Sequence, residues 1–140
     1  MNSKGYTLIE LMVVVAIVGI MSSIALIGIN KGYKLDGATR MIFSDLQCTR
    51  IKAIRERNDF KVTFNANGHT YTIQNMDTGE TWVTRDIHDT YHGVTFSADL
   101  NPTFDPVGTT DSDSGEKITL SKGSSEKKIA ISWTGRISIL

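Results

Sequence analysis

Histidine and cysteine are the side chains of this sequence best suited to metal binding or nucleophilic chemistry, and the chain has three histidines and one cysteine. His88 and His92 are four residues apart, a spacing that would place both imidazoles on one face of a helix as metal ligands. They stand among Asp89, Thr90 and Gly93, in a segment typical of a loop that enters a strand. We therefore predict no metal site at these histidines.

The remaining reactive residues also read as structural. His69 follows Gly68 and is predicted to be a turn residue. Cys48 alone closes no intrachain disulfide and completes no cysteine zinc site, so we interpret it as a small residue on a helix face. The sequence has no phosphate-binding glycine loop, no His-Glu-x-x-His and no glycine-flanked nucleophilic serine. We predict a protein that is not an enzyme and uses no cofactor.

The size and charge of the chain limit its function further. A length of 140 residues fits a single modest domain and excludes a multidomain enzyme. Lysine and arginine, 15 in all, balance 15 acidic residues, which argues against a polybasic arm or an acidic tail. The charge is nevertheless sorted, with +3 over residues 50–61, −7 over residues 62–115 and +3 over residues 116–140.

The segment 6–29 is almost wholly apolar, and its only charged residue is Glu10. A helix of this length crosses a bilayer core of ~30 Å, so we predict a transmembrane segment. A secretory signal peptide is the rival, with Ser23-Ile24-Ala25 as a candidate cleavage site. The apolar run exceeds the ~7 to 15 residues usual for such a peptide. Lysines flank both ends, so charge counting leaves the orientation open.

Glu10 needs an explanation, because a charge inside hydrocarbon costs at least ~2.5 to 3.5 kcal/mol on insertion scales. Such a residue is usually paired or functional. The alternative is a carboxylate close enough to the membrane interface to reach water, which its position near the start of the run allows. The residues alone leave both readings open.

The string Lys4-Gly5-Tyr6-Thr7-Leu8-Ile9-Glu10 resembles the class III signal of type IV pilins and type II secretion pseudopilins. The resemblance implies that residues 1–5 are a leader, which prepilin peptidase removes after Gly5 before the new amino terminus at Tyr6 is methylated. It also implies a single-pass protein of the bacterial inner membrane. The amino terminus would be cytoplasmic, and residues 30–140 would form a periplasmic or extracellular globular domain.

The same resemblance gives Glu10 a partner. In a helical assembly the carboxylate of one subunit would neutralise the Tyr6 amine of its neighbour and fix the stagger between subunits. Other implied partners are major and minor pilins or pseudopilins, the inner-membrane assembly platform and membrane lipid.

A helical pattern continues through residues 30–57. Apolar or small residues recur at steps of three and four and predict a buried stripe. The stripe consists of Leu35, Ala38, Ile42, Leu46, Thr49 and Ala53. Three glycines, Gly28, Gly32 and Gly37, make a bend or local melting plausible. The other face carries Arg50, Lys52, Arg55 and Arg57, with Lys61 following. This face is either solvated or contacts the acidic middle of a neighbouring subunit.

From Phe60 onward the periodicity changes to two, which predicts strands. The predicted strands are residues 60–64, 70–73, 82–84, 93–96, 117–120, 128–133 and 136–139. The first two are expected to form a hairpin in which Asn67-Gly68 supplies positive φ. Residues 105–116 are expected to be an exposed loop. A long helix followed by antiparallel strands predicts an α+β fold in which the helix, transmembrane in its first half, packs on the β-sheets.

Motifs in the second half resemble the GspH/FimT group of minor pilins and pseudopilins. They are Arg50 and Ala53, then Phe104-Asp105-Pro106-Val107-Gly108, then Gly115, Ile118 and Leu120, and finally Ile129-Ala130-Ile131-Ser132 with Gly135-Arg136-Ile137. Phe104 is predicted to anchor the core, Pro106 and Gly108 to form a turn, and Gly135 to form the turn between the last two strands. The resemblance implies a non-catalytic minor subunit of a type IV pilus or a type II secretion pseudopilus.

The alternative is a DNA-binding minor pilin that serves natural transformation. DNA-binding members of the FimT branch carry a carboxy-terminal Gly-Arg-x-Arg pattern, whereas this chain has Gly135-Arg136-Ile137-Ser138 and lacks the second arginine. The candidate contacts to DNA or a partner are Lys122, Lys127, Lys128 and Arg136, which give the carboxy-terminal segment its positive charge.

Overall fold

The computed structural model describes residues 7–111 and 117–140, without the side chains of residues 23–31. The chain divides into two compact units, Met1–Tyr33 and Lys34–Leu140. Helix α1, Leu8–Glu56, contributes residues to both. It is helical throughout these bounds, so the local melting expected at the glycines is not observed. The helix ends before Arg57, whose positive φ of 57° departs from helical geometry.

In the first unit, α1 exposes apolar side chains on every side. Each large apolar residue from Leu8 to Met21 is at least half exposed. No helix in the described part of the chain has a stretch long and apolar enough to cross a membrane. Of the predicted segment 6–29, Tyr6 and the side chains of residues 23–29 lie outside the described residues.

In the second unit, α1 buries one stripe against two four-stranded antiparallel sheets. All six residues of the predicted stripe are buried, which confirms that prediction. The hydroxyl of the buried Thr49 has a hydrogen-bond partner, because it donates to the Asp45 carbonyl oxygen at 2.6 Å. Gly37 lets the Tyr91 ring approach the helix so closely that a Cβ at residue 37 would lie 2.7 Å from the ring.

The first sheet has the order β3-β2-β1-β5, and the second has the order β4-β6-β7-β8. In chain order the elements after α1 are β1 (Phe60–Asn65), β2 (Thr70–Asn75), β3 (Thr81–Asp86), α2 (Ile87–Thr90), β4 (Thr95–Ala98), β5 (Thr103–Phe104), β6 (Lys117–Lys122), β7 (Ser125–Ile131) and β8 (Ile137–Ile139). This order of helix and antiparallel strands confirms the predicted α+β class.

Alternating burial along the strands builds the core. Val62 pairs with Ile73 in the first sheet and Ile118 pairs with Ile129 in the second, and all four are buried. Phe104 is fully buried, which confirms its predicted role as an anchor.

Three local predictions need correction. The positive φ of the β1–β2 turn belongs to His69, at 51°, because the connection has four residues rather than two. Residues 87–90 are a short helix and not a loop, since Asp86 caps it by accepting from the Asp89 N–H. The strand expected at 128–133 ends at Ile131, where a turn begins. Strand β5 was not predicted, because its two residues are too few to show a periodicity.

Candidate functional site

Thr7 and Glu10 cap the amino-terminal end of α1. One Glu10 carboxylate oxygen accepts from the Thr7 backbone N–H at 2.9 Å and from its hydroxyl at 3.0 Å, while the Glu10 N–H donates to Thr7 Oγ1 at 3.3 Å. This is a capping box, which satisfies helix N–H groups that otherwise lack partners. The pattern Thr-x-x-Glu in the sequence signals such a cap, although no cap was predicted there. Gly5 and Tyr6 lie outside the described residues.

A second site joins the motifs of the globular unit. The Arg50 guanidinium on α1 donates through Nε to the Gly108 carbonyl oxygen at 2.9 Å and through Nη2 to the Thr134 carbonyl oxygen at 3.4 Å. We call the contact of Arg50 with the turns at residues 105–109 and 132–135 the arginine latch. Arg50 is half-buried and bonded within its own chain, which contradicts its interpretation as a solvated residue. Its contact with a neighbouring subunit stays a prediction.

The first turn of the latch is organised by Asp105. Its carboxylate accepts from the Val107 N–H at 3.0 Å, from the Thr109 N–H at 2.9 Å and from the Thr109 hydroxyl. These bonds, with the Thr109 hydroxyl first, lower the pKa of Asp105 below its usual value. Gly108 has a φ of 88° and is buried against α1, so the loop expected to be exposed is partly packed. Residues 112–116 of that loop, including Gly115, lie outside the described residues.

The second turn confirms the role predicted for Gly135. Its N–H donates to the Ser132 carbonyl oxygen at 2.8 Å, and its φ is 73°. The two turns lie side by side, because the Thr110 N–H donates to the Trp133 carbonyl oxygen at 2.9 Å. The latch therefore unites three segments that are far apart in the sequence.

Two carboxylates on α1 hold the sheets. Asp45 accepts from the Tyr71 hydroxyl at 2.7 Å and from Arg85 Nε at 3.1 Å. Burial first, and then the Asp45 carboxylate, raise the pKa of Tyr71, so the phenol stays protonated as a donor. Asp36 accepts from Lys127 Nζ at 2.5 Å, and this bond lowers the pKa of Asp36.

The other cationic residues of this helix face differ in their exposure to solvent. Lys52 lies 5.1 Å from the ring centre of Trp82 and forms an ion pair with Glu56, and its side chain is only 19% exposed. Arg55 is exposed, as expected for a solvated position. Cys48 is exposed on the same helix, as its interpretation as a helix-surface residue requires.

The four carboxy-terminal cations do not form one cluster. Lys127 shares the inner face of β7 with Ile129, whereas Lys128 points outward and lies 3.9 Å from Glu126. Lys122 donates to the His92 carbonyl oxygen at 3.1 Å. Arg136 is exposed beyond the turn that follows β7. DNA binding by these residues stays a prediction.

All three histidines meet on the surface. The ring centres of His69 and His88 are 5.6 Å apart, and those of His88 and His92 are 6.0 Å apart. His92 Nδ1 donates to the His88 carbonyl oxygen at 2.8 Å. Within residues 7–111 and 117–140, no group of histidine, cysteine or acidic side chains is arranged to hold a metal ion.

Solved structures with a similar fold come from two filament systems. The type IV minor pilin FimU of Pseudomonas aeruginosa matches 79% of this chain and 90% of its own chain, with 17% identity and a TM-score of 0.65. The minor pseudopilin EpsH of the type 2 secretion system of Vibrio cholerae matches 76% of this chain and 96% of its own, with 14% identity and a TM-score of 0.61. No curated protein matches the sequence significantly.

Two family models match the sequence itself. The prokaryotic N-terminal methylation motif covers residues 1–26, which include the whole string from Lys4 to Glu10. The type II transport protein GspH covers residues 38–135, from the buried stripe of α1 to the second turn of the latch. The chain therefore belongs to the GspH family of type II transport proteins.

Proposed function

We propose that the chain is a non-catalytic minor subunit of a type IV pilus or a type II secretion pseudopilus, assembled through the first half of α1. The observation that carries the proposal is the exposure of every large apolar side chain from Leu8 to Met21. A helix that is apolar all round must be covered by lipid or by other helices. The N-terminal methylation motif covers the same residues and supports this assembly role.

Processing would begin at the leader, residues 1–5. Lys4 would hold the leader on the cytoplasmic side of the inner membrane, and Gly5 would let an extended backbone enter the site of prepilin peptidase. Cleavage and methylation would leave Tyr6 as a positively charged amino terminus. Residues 6–29 would then cross the membrane, with residues 30–140 on the periplasmic side.

Assembly would exchange one environment of the apolar helix for another. Lipid would solvate the helix until the assembly platform moves it into the filament, where it packs on the helices of other subunits. Glu10 is exposed and bonded only within its own capping box among the described residues, so it is available to the Tyr6 amine of a neighbour. The subunit would act by this packing and not by catalysis.

The first experiment is deletion of the gene in its native host, with surface pili, DNA uptake and protein secretion scored in one strain. Loss of pili or uptake with normal secretion would assign the chain to a type IV pilus. Loss of secretion with normal pili would assign it to a pseudopilus. Complementation by a Gly5→Leu copy would overturn the processing argument, and a Gly5→Ala copy, which adds one methyl group, is the graded control.

A further inference from the structure

The surface around the arginine latch carries large exposed apolar side chains. Four large apolar residues on the elements that meet there are well exposed: Ile51 by 62%, Ile54 by 44%, Val107 by 79% and Trp133 by 61%. Ile54 lies against Gly108, so the helix residues and the first turn are in direct contact. Large exposed apolar side chains on adjoining elements favour an interaction surface.

The same surface is positively charged. A groove of about 360 Å³ is lined by Gln47, Arg50, Ile51, Gly135, Arg136 and Ile137. The Arg50 guanidinium donates to two carbonyl oxygens. Arg136 is exposed, and although its carbonyl oxygen accepts from Ser132, its guanidinium has no hydrogen bond or ion pair to the described residues. We call this groove and the four apolar residues the latch face. Its residues include two arginines and no carboxylate.

We propose that the latch face is the docking surface for the globular domain of a different pilin-type subunit, which presents an apolar patch and a carboxylate that pairs with Arg136. The inference rests on the proposed function and names the partner that the globular unit takes. Trp133 supplies the kind of large, exposed aromatic anchor that dominates binding at interface centres. The carboxylate would complement the charge of Arg136 and set the orientation of the partner.

Charge disfavours a twofold dimer of this chain on the latch face. In a twofold dimer the same patch meets itself, which would bring the Arg136 side chains of both copies together without a carboxylate. A nucleic acid is disfavoured as well, because phosphates would leave Ile51, Ile54, Val107 and Trp133 without an apolar partner. The other carboxy-terminal lysines also point elsewhere.

The test uses the full-length protein in its native envelope, with a photo-crosslinking amino acid at residue 107 or 133. The control position is Ser124, which is also exposed but lies at the opposite end of β7. We expect crosslinks from 107 and 133, and not from 124, to a subunit that carries its own methylation motif. Absence of crosslinks at 107 and 133, equal crosslinks at 124, or a crosslink to a second copy or to DNA would overturn the proposal.

Charge variants test the role of Arg136. Arg136→Glu should lower the crosslink yield at least about tenfold, because like charges then face each other, whereas Arg136→Lys should retain it. Lys128→Glu, on the outward side of β7, should leave the yield unchanged. An unchanged yield with Arg136→Glu would contradict the charge pairing. Removal of residues 1–5 is measured in every variant. A variant that loses its leader but forms no crosslink contradicts this inference alone, whereas failure to remove the leader contradicts the proposed function.

Discussion

Gly135 packs so tightly on Gly108 that a methyl group at residue 135 would overlap the carbonyl oxygen of residue 108. Both glycines have positive φ, at 73° and 88°. Arg50 donates to that same Gly108 carbonyl oxygen. The two turns and the helix are therefore fixed together at one point, which requires glycine at both turn positions and a long, forked donor on the helix.

The contact between the two glycines predicts a large loss of stability for Gly135→Ala. The free energy of unfolding should fall by at least ~3 kcal/mol, since backbone strain and an overlap with backbone both oppose the methyl group. Gly123→Ala is the matched control, because Gly123 has a φ of 63° but nothing within 4 Å of the added carbon. It should lose only ~1 kcal/mol.

Urea unfolding followed by tryptophan fluorescence measures both variants, because Trp82 and Trp133 both belong to the globular unit. Equal losses in the two variants would show that strain alone accounts for the effect and that the close contact contributes nothing.

Replacement of Arg50 should also destabilise the globular unit. Arg50→Ala removes charged donors from two carbonyl oxygens, and each such bond contributes about 1.5 to 3 kcal/mol. We expect the free energy of unfolding to fall by ~2 to 4 kcal/mol. Arg50→Lys should restore only part of this loss, because lysine lacks the forked geometry. Arg55→Ala, at an exposed position on the same helix, should change the unfolding free energy by less than ~0.5 kcal/mol. A loss at Arg55 equal to that at Arg50 would refute the latch.

The lowered pKa of Asp105 predicts how the stability of the globular unit depends on pH. Because hydrogen bonds lower its pKa in the folded state, its contribution is fully present above the unfolded value of ~3.9 and is lost as the pH falls through the folded value. The Tm of the wild type should therefore fall below about pH 4 more steeply than that of Asp105→Asn. Parallel Tm curves for wild type and Asp105→Asn would contradict the prediction.

The capping box allows the charge of Glu10 to be separated from its role as a cap. Glutamine also completes a capping box, so Glu10→Gln keeps the helix end but removes the charge. Thr7→Val removes the cap and keeps the charge. If Glu10 pairs with a neighbouring Tyr6 amine, Glu10→Gln should abolish incorporation into filaments, while Thr7→Val retains it. Incorporation is measured in sheared filament fractions, with processing verified by mass. The opposite pattern would assign Glu10 to capping alone.

Much of the fold follows from periodicity. The stripe from Leu35 to Ala53 and the alternation in β1, β2 and β6 could be predicted from the sequence, because a buried face imposes a repeat of 3.6 or 2.0 residues on the chain. The string from Lys4 to Glu10 is equally readable, since its pattern is local. Short elements such as β5 and α2 could not be predicted, because two to four residues carry no measurable repeat.

The sequence by itself thus determined the long helix, most of the strands, the buried stripe and the amino-terminal signal, all of which depend on neighbours along the chain. Only the tertiary structure decided that Arg50 holds Gly108 and Thr134 and that the lysines at residues 122, 127 and 128 face different partners. Gly108 and Thr134 lie 58 and 84 positions after Arg50 in the sequence. Such contacts produce no recognisable spacing pattern in the sequence, because the packing of α1 on the second sheet sets the distances between these residues. The physical reason is that local interactions fix each element, whereas packing alone fixes which surfaces meet.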